Sequence, residues 1–576
     1  MKSMRMKWLP ITSWLPNYSR QDATKDGLAA IIVTLMLIPQ SLAYAMVAGL
    51  PPVTGLYASI LPLVAYTLLG TSKTLAVGPV AVISLMTAEA VAPLYGSGTQ
   101  GYLTAAATLA FLSGIVLFLM SVFRLGFLTT FLSHPVLSGF MTASGILIMV
   151  GQLKHIFGVS AHGHNVVERF ISLISALPQA NIYTTVIGAF SIGSLLLARR
   201  YLKQALIRIG VSSTVSGHAT KLVPVAVMMV GIAAVSMFGL DVQGVSVVGQ
   251  VPSGLPSFSL PSFDIKLIEE LLPAAVLLSI IGFVESASVG QTLAAKRKQR
   301  IDPNQELVAL SGANIASAIH GGFPVTGGLS RSVVNFDAGA ETPLAGALTA
   351  VGIAVTVLFF TPVFTYLPHA VLAATIIVAV SSLVDLKAII HTWQHSKSDG
   401  VAMLLTVFGV LLFNVEVGVI AGLASSLALF LWKTSRPHIA VVGLIEGTEH
   451  FRNIKRFKVK KSEKVLSLRI DESLYFANAR FLEDAVPAYL GEYPETKHVV
   501  LMLSGVNMID LSASESLTLI HDRLLESGVN LHLSEVKGPV MDELEHSDFY
   551  QHFKGQVFVS QFQAVSALDP DFAELT

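Results

Sequence analysis

The chain has 576 residues, no cysteine and a formal net charge of +0. Hydrophobic residues make up 53% of it and charged residues only 13%, whereas soluble domains carry about 25% charged residues. This composition excludes an ordinary soluble protein and predicts an α-helical polytopic membrane protein. The absence of cysteine excludes disulfides, thiolate metal sites and cysteine nucleophiles. Nothing in the charge balance indicates a nucleic-acid partner.

Apolar segments of membrane-spanning length follow a basic N-terminal segment, residues 1–26. They run at roughly 27–48, 54–70, 75–93, 102–123, 134–153, 181–198, 221–240, 271–292, 306–320, 328–340, 343–362, 367–383, 400–415 and 417–433. Arg and Lys collect in the loops after the even-numbered segments and are scarce after the odd-numbered ones. The positive-inside rule therefore predicts about 14 spans with both termini in the cytoplasm.

Composition changes after the last apolar segment. Residues 436–576 lose the long apolar runs and show short strand-like stretches at 465–470, 499–503 and 531–533. Amphipathic helical patterns lie at about 478–491, 513–527 and 539–546. Strands that alternate with helices predict a small cytoplasmic α/β domain after a transporter domain at 27–435.

Two apolar segments are interrupted by glycine and proline at membrane depth. The third contains Val-Gly-Pro-Val at 77–80, and the tenth contains Pro-Val-Thr-Gly-Gly-Leu-Ser-Arg at 324–331. Irregular backbone occurs inside a bilayer only where it is buried in protein or lines a cavity. A matched pair of interrupted segments points to a transporter binding site. Both breaks lead into helix N-termini, which favour negative charge, so an anion is the predicted cargo.

Arg331 lies directly after the second break. A charge at this depth costs about 2.5–3.5 kcal/mol or more, so it must face a partner or water. We expect it to form part of an electropositive anion site. The alternative is a structural ion pair with Asp337 or Glu341.

Glu285 lies in the middle of the eighth segment without a local cation. A desolvated carboxyl favours its protonated form, which predicts a residue that couples transport to a cation, with the proton ahead of sodium. The alternative is a neutral or paired glutamate that braces helices.

The first segment is interrupted by Pro39 and carries Gln40, Ser41 and Tyr44. These uncharged donors suit a polar oxyanion and predict residues that line the site. Ser and Gln also form hydrogen bonds between membrane helices, which is the structural alternative.

In the C-terminal domain, Ser512 precedes Glu515 by three residues at the start of a helical pattern. This spacing predicts a capping box. A second hypothesis is that Ser512 is a phosphorylation site at a helix N-terminus. The histidines at 162 and 164 are interpreted as residues of a solvated loop, and the sequence predicts no metal site, cofactor or enzymatic activity.

Several stretches together resemble the sulfate permease (SulP) family, the bacterial relatives of solute carrier family 26. They are Pro-Gln-Ser-Leu-Ala-Tyr-Ala at 39–45, Gly-Leu-Pro-Pro at 49–52, Gly-Leu-Tyr at 55–57, Val-Gly-Pro-Val-Ala-Val at 77–82 and Phe-Pro-Val-Thr-Gly-Gly-Leu-Ser-Arg-Ser at 323–332. The C-terminal part resembles a STAS domain, with Ile-Asp-Leu-Ser at 509–512 and Val-Lys-Gly-Pro-Val at 536–540.

The resemblance implies 14 helices arranged as two inverted repeats of seven, divided into a core and a gate domain, in a homodimer. It implies that the anion site is lined by Gln40, Tyr44, Val80, Ser330 and Arg331. Glu285 matches the acidic position that bacterial members are thought to use for cation coupling. One departure concerns the STAS loop, where Leu511 and Ala513 replace the Ser and Gly common in phosphorylated relatives, which weakens the case for a phospho-switch.

These features predict a secondary transporter of a small anion in the bacterial inner membrane, which works by alternating access as a proton-coupled symporter with Glu285 as the coupling residue. Sulfate is the first choice, and bicarbonate, chloride or a C4-dicarboxylate are alternatives. Other classes left open are a nucleobase:cation symporter of the same fold, an uncoupled anion channel or exchanger, and a membrane-anchored regulator that acts through a cytoplasmic partner of the STAS domain.

Overall fold

The computed structural model describes residues 9–130, 133–163, 165–256, 258 and 260–574. Two compact units are formed, Met1–Ser426 and Leu427–Thr576. The division falls inside the last membrane helix, ahead of the boundary at 435 that composition suggests. The first eight residues of the expected N-terminal segment lie outside the described residues.

Nine helices in the described part of the chain are long and apolar enough to cross a membrane, by length and composition. Within the same described residues, shorter or interrupted helices form five further segments, so fourteen segments follow one another in the order that the hydrophobic pattern predicts. The segments are, in chain order, Arg20–Val47; Val53–Tyr57 with Leu61–Leu69; Val77–Gly78 with Ala81–Val91; Gln100–Val122; His134–Phe157; Ile182–Leu197 continued by Ala198–Leu202 and Lys203–Arg208; Ser213–Phe238; Ile265–Lys296; Pro303–Ile319; Thr326–Gly327 with Leu329–Asp337; Leu344–Val355 continued by Thr356–Phe360 and Thr361–Tyr366; His369–Val380; Lys397–Leu412; and Val415–Thr434.

Two additional helices, Val166–Ala176 and Leu386–His395, lie in stretches that the sequence analysis treats as loops. Neither is long enough to span a bilayer alone, and Leu386–His395 follows His369–Val380 so closely that His369–His395 counts as one of the nine long apolar stretches. The first exposes Phe170, Ile171 and Ile174 on one side, as a helix lying in the membrane interface does.

The two broken segments meet in a short antiparallel pair. Strand β1 (Val77–Gly78) pairs with strand β2 (Thr326–Gly327), with Val77 opposite Gly327. Because the strands are antiparallel, the half-helices that follow them start side by side and run in opposite directions. This is the orientation that an inverted repeat requires.

The first and second segments pack at very close range. A Cβ atom added at Gly55 would lie 1.8 Å from the backbone oxygen of Ser41, so only glycine permits this contact. The Ser41 hydroxyl lies 2.9 Å from that of Ser59 and joins the same two segments. Small residues that let backbones approach are typical of membrane helix interfaces.

The C-terminal unit is built on a six-stranded sheet with the order β4-β3-β5-β6-β7-β8. The strands are β3 (Ile439–Leu444), β4 (Phe451–Asn453), β5 (Val465–Ile470), β6 (His498–Met502), β7 (Asn530–Ser534) and β8 (Val557–Phe558). Strands β5 to β8 are parallel, whereas β3 is antiparallel to both of its neighbours. The helices are Ala479–Glu492, Leu511–Glu526, Gly538–Glu545, Asp548–His552, Gln561–Leu568 and Pro570–Glu574, and apolar clusters cover both faces of the sheet.

The capping box predicted for Ser512 is wrong. The helix begins at Leu511, and Asp510 is its N-cap, with Oδ1 accepting a hydrogen bond from the Ala513 N–H at 2.9 Å. Ser512 is exposed in the first turn instead. A carboxylate at the N-cap satisfies an unpaired amide and also complements the positive end of the helix dipole, so Asp510 takes the position.

Candidate functional site

The break in the tenth segment is held by polar side chains from the eighth and ninth. The Asn314 side chain accepts a hydrogen bond from the Val325 N–H at 3.0 Å and donates one to the Val325 oxygen at 2.9 Å. The Gly327 N–H donates to Ser286 Oγ at 2.8 Å. Backbone groups that lack helical partners at membrane depth are thereby satisfied inside the protein.

The break in the third segment is tied to the tenth in the same way. The Gly328 N–H donates to the Ala76 oxygen at 3.1 Å, and the Ala76 N–H donates to Ser332 Oγ at 2.9 Å. Asn335 donates its side-chain amide to the Thr74 oxygen at 3.1 Å. These contacts fix the starts of the half-helices Ala81–Val91 and Leu329–Asp337 against each other, so their N-terminal dipoles converge on one region.

Arg331 lies at this crossing, and the two terminal nitrogens of its guanidinium group have no hydrogen-bond partner among the described residues. The side chain is 2% exposed, and neither Nη1 nor Nη2 makes a hydrogen bond to any described residue. Asp337 pairs with Lys221 at 3.2 Å, and Glu341 pairs with Lys25 at 2.9 Å. Both candidate partners for a structural ion pair are therefore bound to other cations, which favours the interpretation of Arg331 as an anion-site residue.

Two glycines make room for the guanidinium group. Gly78 has φ +153°, and a Cβ atom there would lie 2.8 Å from Arg331 Nη1. At Gly328, a Cβ atom would lie 3.0 Å from Nε and Nη2 of Arg331 and 3.1 Å from Val80 Cγ1. The glycines of both breaks thus place Arg331 directly against the backbone of the two strands.

Glu285 is buried in the eighth segment near the same crossing. No described residue makes a hydrogen bond to its carboxylate, and none forms an ion pair with it. Glu285 and Tyr44 both lie close enough to Arg331 to interact with it electrostatically. The structure thus brings together three predicted site residues from the first, eighth and tenth segments.

Gln40 and Ser41 differ although they are neighbours in the sequence. Gln40 is buried and its Oε1 atom has no hydrogen-bond partner among the described residues. Ser41 is completely buried and its hydroxyl is engaged with Ser59. Gln40 thus retains an unused polar group, whereas Ser41 makes the interhelical contact that was its structural alternative.

The half-helix starts carry the remaining predicted residues and one that the sequence analysis missed. Val80 is buried at the N-cap position of the third segment's half-helix, and Ser330 is exposed beside Arg331. Ser84 lies one turn after Val80, is fully buried, and has a hydroxyl without a partner among the described residues. The four-residue spacing from Val80 is the signal that could have identified it. Of the loop histidines, residue 164 lies outside the described residues.

Comparison with known proteins gives the family. Residues 24–406 match the sulfate permease family model, and residues 456–563 match the STAS domain model. The chain is 35% identical over 551 residues to the chloroplastic sulfate transporter 4.1 of Arabidopsis thaliana, covering 92% of this chain and 79% of that protein. It is 31% identical over 581 residues to high affinity sulfate transporter 2 of Stylosanthes hamata, covering 98% of this chain and 87% of that protein.

Solved structures agree with this assignment. The murine solute carrier 26 family member A9 anion transporter in the inward-facing state superposes with a TM-score of 0.90 at 25% identity, covering 100% of this chain and 95% of that chain. The transmembrane domain of a cyanobacterial bicarbonate transporter, BicA, shares the fold with a TM-score of 0.59 at 21% identity, over 70% of this chain and 98% of that chain. The chain therefore belongs to the sulfate permease family, a family of membrane transporters rather than enzymes, and carries a C-terminal STAS domain.

Proposed function

We propose that the protein is a secondary transporter that carries a small anion, with sulfate as the first choice. The observation that supports this most directly is Arg331, whose two unpartnered guanidinium nitrogens lie where two half-helices begin. An oxyanion there would accept charge-assisted hydrogen bonds from the guanidinium and favourable interactions with both helix dipoles. Curated relatives named as sulfate transporters favour sulfate over bicarbonate, chloride or a C4-dicarboxylate.

Gln40, Tyr44 and Ser84 complete the proposed site with uncharged polar groups. Gln40 and Ser84 each have a buried oxygen that makes no hydrogen bond within the part of the chain that the structure describes. A bound oxyanion with protonated or water-bridged oxygens could use such groups, whereas Ser41 would support the site only by joining two helices. Val80 and Ser330 would flank the anion at the two helix starts.

Proton coupling follows from the position of Glu285. Glu285 lies close enough to Arg331 to interact with it electrostatically, so in the empty site an ionised Glu285 would offset part of the charge of Arg331. An anion that binds Arg331 adds a second negative charge beside this carboxylate, and two like charges in one buried site favour protonation of one of them. Anion and proton are therefore taken up together, which describes symport by alternating access.

The alternative functions predict other residues at the positions of Arg331 and Glu285, or no role for these two residues. A nucleobase:cation symporter of this fold would place an acidic residue in the tenth segment, where this chain has Arg331. An uncoupled channel or exchanger gains nothing from a buried, unpartnered Glu285. A regulator acting through its STAS domain leaves both membrane residues without a role.

We propose further that the protein is a homodimer in a bacterial inner membrane with both termini in the cytoplasm. The asymmetric distribution of Lys and Arg among the loops supports this topology. Ser512 is exposed at the start of its helix and accessible to a kinase or to a partner of the STAS domain.

The test uses purified protein in proteoliposomes. An imposed inward proton gradient should drive accumulation of radiolabelled sulfate, and unlabelled bicarbonate, chloride, fumarate, succinate and uracil are added in turn as competitors. Accumulation of another anion in preference to sulfate would replace sulfate as the proposed substrate but would still support an anion transporter. Competition by uracil alone would overturn anion transport.

Glu285→Gln tests the coupling separately. We expect this variant to bind the anion but to lose its response to the proton gradient, because Gln cannot carry a proton. Glu269→Gln is the matched control, since Glu269 is exposed on the same helix. A gradient response that Glu285→Gln retains in full would exclude Glu285 as the coupling residue.

A further inference from the structure

A strongly basic stretch of the C-terminal unit begins in strand β4. Residues 452–461 read Arg-Asn-Ile-Lys-Arg-Phe-Lys-Val-Lys-Lys, with six basic side chains in ten positions. The start of this stretch borders a cavity of about 330 Å³ lined by His438, Arg452, Asn453, Arg456, Phe457, Arg469 and Asp471. None of these residues belongs to the membrane site.

The sheet itself brings the arginines of this basic groove together. Strand β3 lies between β4 and β5, with Gly443 opposite Arg452 and Ala440 opposite Arg469. Arg456 follows in the turn after β4 and is exposed. Three guanidinium groups therefore surround one cavity on a rigid scaffold.

Asp471 is the only carboxylate that lines the groove in the described part of the chain, and it is already engaged. It accepts hydrogen bonds from Arg469 Nη2 at 3.0 Å and from His438 Nδ1 at 2.7 Å. Partial burial opposes ionisation, but these hydrogen bonds outweigh it and hold the pKa of Asp471 below its ordinary value. Among the described residues no carboxylate pairs with Arg452 or Arg456, so the groove keeps unneutralised positive charge.

The first residue of the groove follows the last membrane segment closely in the sequence. His438 follows Thr434, the last residue of the fourteenth segment, by four positions, and an extended chain of that length spans at most about 14 Å. Phe457 lies at the rim of the groove with 50% of its surface exposed. A basic patch with an exposed aromatic residue, next to a membrane exit, has the composition of a lipid-headgroup site.

We propose that this groove binds the phosphate of an anionic phospholipid headgroup. Arg452 and Arg456 bind the phosphate oxygens, and Phe457 inserts beside the acyl chains. The proposal goes beyond anion transport and rests on it only for the cytoplasmic placement of the C-terminal unit. Its effect is to fix the STAS domain at the leaflet of the membrane that the transporter spans.

The test measures binding to the full-length protein in detergent micelles by microscale thermophoresis. The probe is dioctanoyl phosphatidic acid, and dioctanoyl phosphatidylcholine, glycerol 3-phosphate and inorganic phosphate are compared with it. We expect Arg452→Gln/Arg456→Gln to weaken binding of phosphatidic acid about 30-fold, since each basic residue near an anionic surface contributes roughly fivefold. Phe457→Ala should weaken phosphatidic acid but leave glycerol 3-phosphate unchanged.

Arg480→Gln/Lys497→Gln removes the same charge from exposed positions outside the groove and serves as the control. If the groove variant fails to fold, Arg452→Lys/Arg456→Lys keeps the charge and should retain most of the binding. Equal affinity for inorganic phosphate and phosphatidic acid would overturn the lipid assignment in favour of a soluble phosphate compound. Equal weakening in the control variant would overturn the site itself.

Discussion

Two buried glutamates of the membrane unit, Glu306 and Glu285, have opposite surroundings. The Glu306 carboxylate accepts hydrogen bonds from the Tyr66 hydroxyl at 2.7 Å, the Thr71 N–H at 2.8 Å and the Ser72 N–H at 3.2 Å. Glu285 has no hydrogen-bond partner among the described residues. Both are buried, so burial alone does not separate them.

The difference shows which buried charge is structural and which belongs to a site. The Glu306 carboxylate accepts hydrogen bonds from donors in the second segment and in the loop that follows it. These hydrogen bonds connect both to the ninth segment, which carries Glu306. A buried polar group left without a partner costs about 1–3 kcal/mol, and more if it is charged. Glu285 and Arg331 lie close together, and both lack hydrogen bonds that would offset this cost. An anion bound to Arg331 and a proton bound to Glu285 would remove it.

The largest effect should come from the satisfied glutamate. Glu306→Gln removes the charge and replaces one acceptor oxygen by an amide donor, so either the N–H groups of Thr71 and Ser72 or the Tyr66 hydroxyl lose their acceptor. We expect the free energy of unfolding to fall by about 3 kcal/mol, because breaking a buried charged network leaves its partners unpaired. Thermal unfolding in detergent measures this, with Glu285→Gln as the comparison, which should unfold at or above the wild-type temperature. Similar losses in both variants would abolish the distinction between them.

Arg331→Gln should show the reverse pattern. Loss of two charge-assisted hydrogen bonds to the anion predicts an affinity about 100-fold weaker. Stability should stay the same or rise, since an unpaired buried charge is removed. Binding of radiolabelled sulfate and thermal unfolding are measured on the same sample. A clear drop in stability with full retention of affinity would make Arg331 a structural residue.

Gly328→Ala tests the space around the guanidinium rather than its charge. The added Cβ atom would lie 3.0 Å from Arg331 Nε, which is tighter than ordinary contact, so Arg331 must shift. We expect the affinity for sulfate to weaken about tenfold, because a small misplacement lengthens hydrogen bonds that depend on distance and angle. Gly193→Ala, where nothing lies within 4 Å of the added atom, is the control and should bind normally. Unchanged affinity in Gly328→Ala would show that Arg331 does not need its present position.

The sequence predicts the site where its signal is local. The Gly and Pro residues at 77–80 and 324–331 interrupt apolar runs. Arg331 is a charged residue in a membrane segment, where charged residues are rare. Both features can be recognised without knowing which helices touch. The same reasoning finds the strands at 465–470 and 531–533, whose apolar runs are short and bounded by polar residues.

Features that depend on tertiary contacts cannot be predicted from local sequence signals. Ser286 and Asn314 satisfy the backbone of the tenth segment, but their spacing along the chain does not indicate that contact. The distinction between Glu285 and Glu306 likewise arises from which segment each one faces. The helices Val166–Ala176 and Leu386–His395 were missed because their length lies below that of a membrane span.

His498 and His532 form a titratable pair in the C-terminal unit. Their effect on stability is the smallest of those predicted, and it arises outside the membrane segments. His532 on β7 accepts a hydrogen bond from the Gln556 N–H at 3.2 Å, and its other ring nitrogen lies 3.1 Å from His498 Nδ1. Burial, and then the neighbouring His498, lower the pKa of His532 to about 4. The neutral ring is thus satisfied by its partners, as the Glu306 carboxylate is by its own.

Because the pKa of His532 is lower in the folded than in the unfolded state, the unfolded state binds more protons as the pH falls below about 6.5. Stability is complete above that pH and is lost as the pH falls towards about 4, with a loss of about 1 kcal/mol near pH 5 after allowance for solvent screening. Hydrogen exchange of the β6 and β7 amides in the full-length protein measures this. His532→Asn keeps an acceptor for Gln556 and should flatten the pH dependence, whereas the exposed control His552→Asn should retain it. A pH dependence that persists in His532→Asn would assign it to other groups and leave His532 as a packing residue.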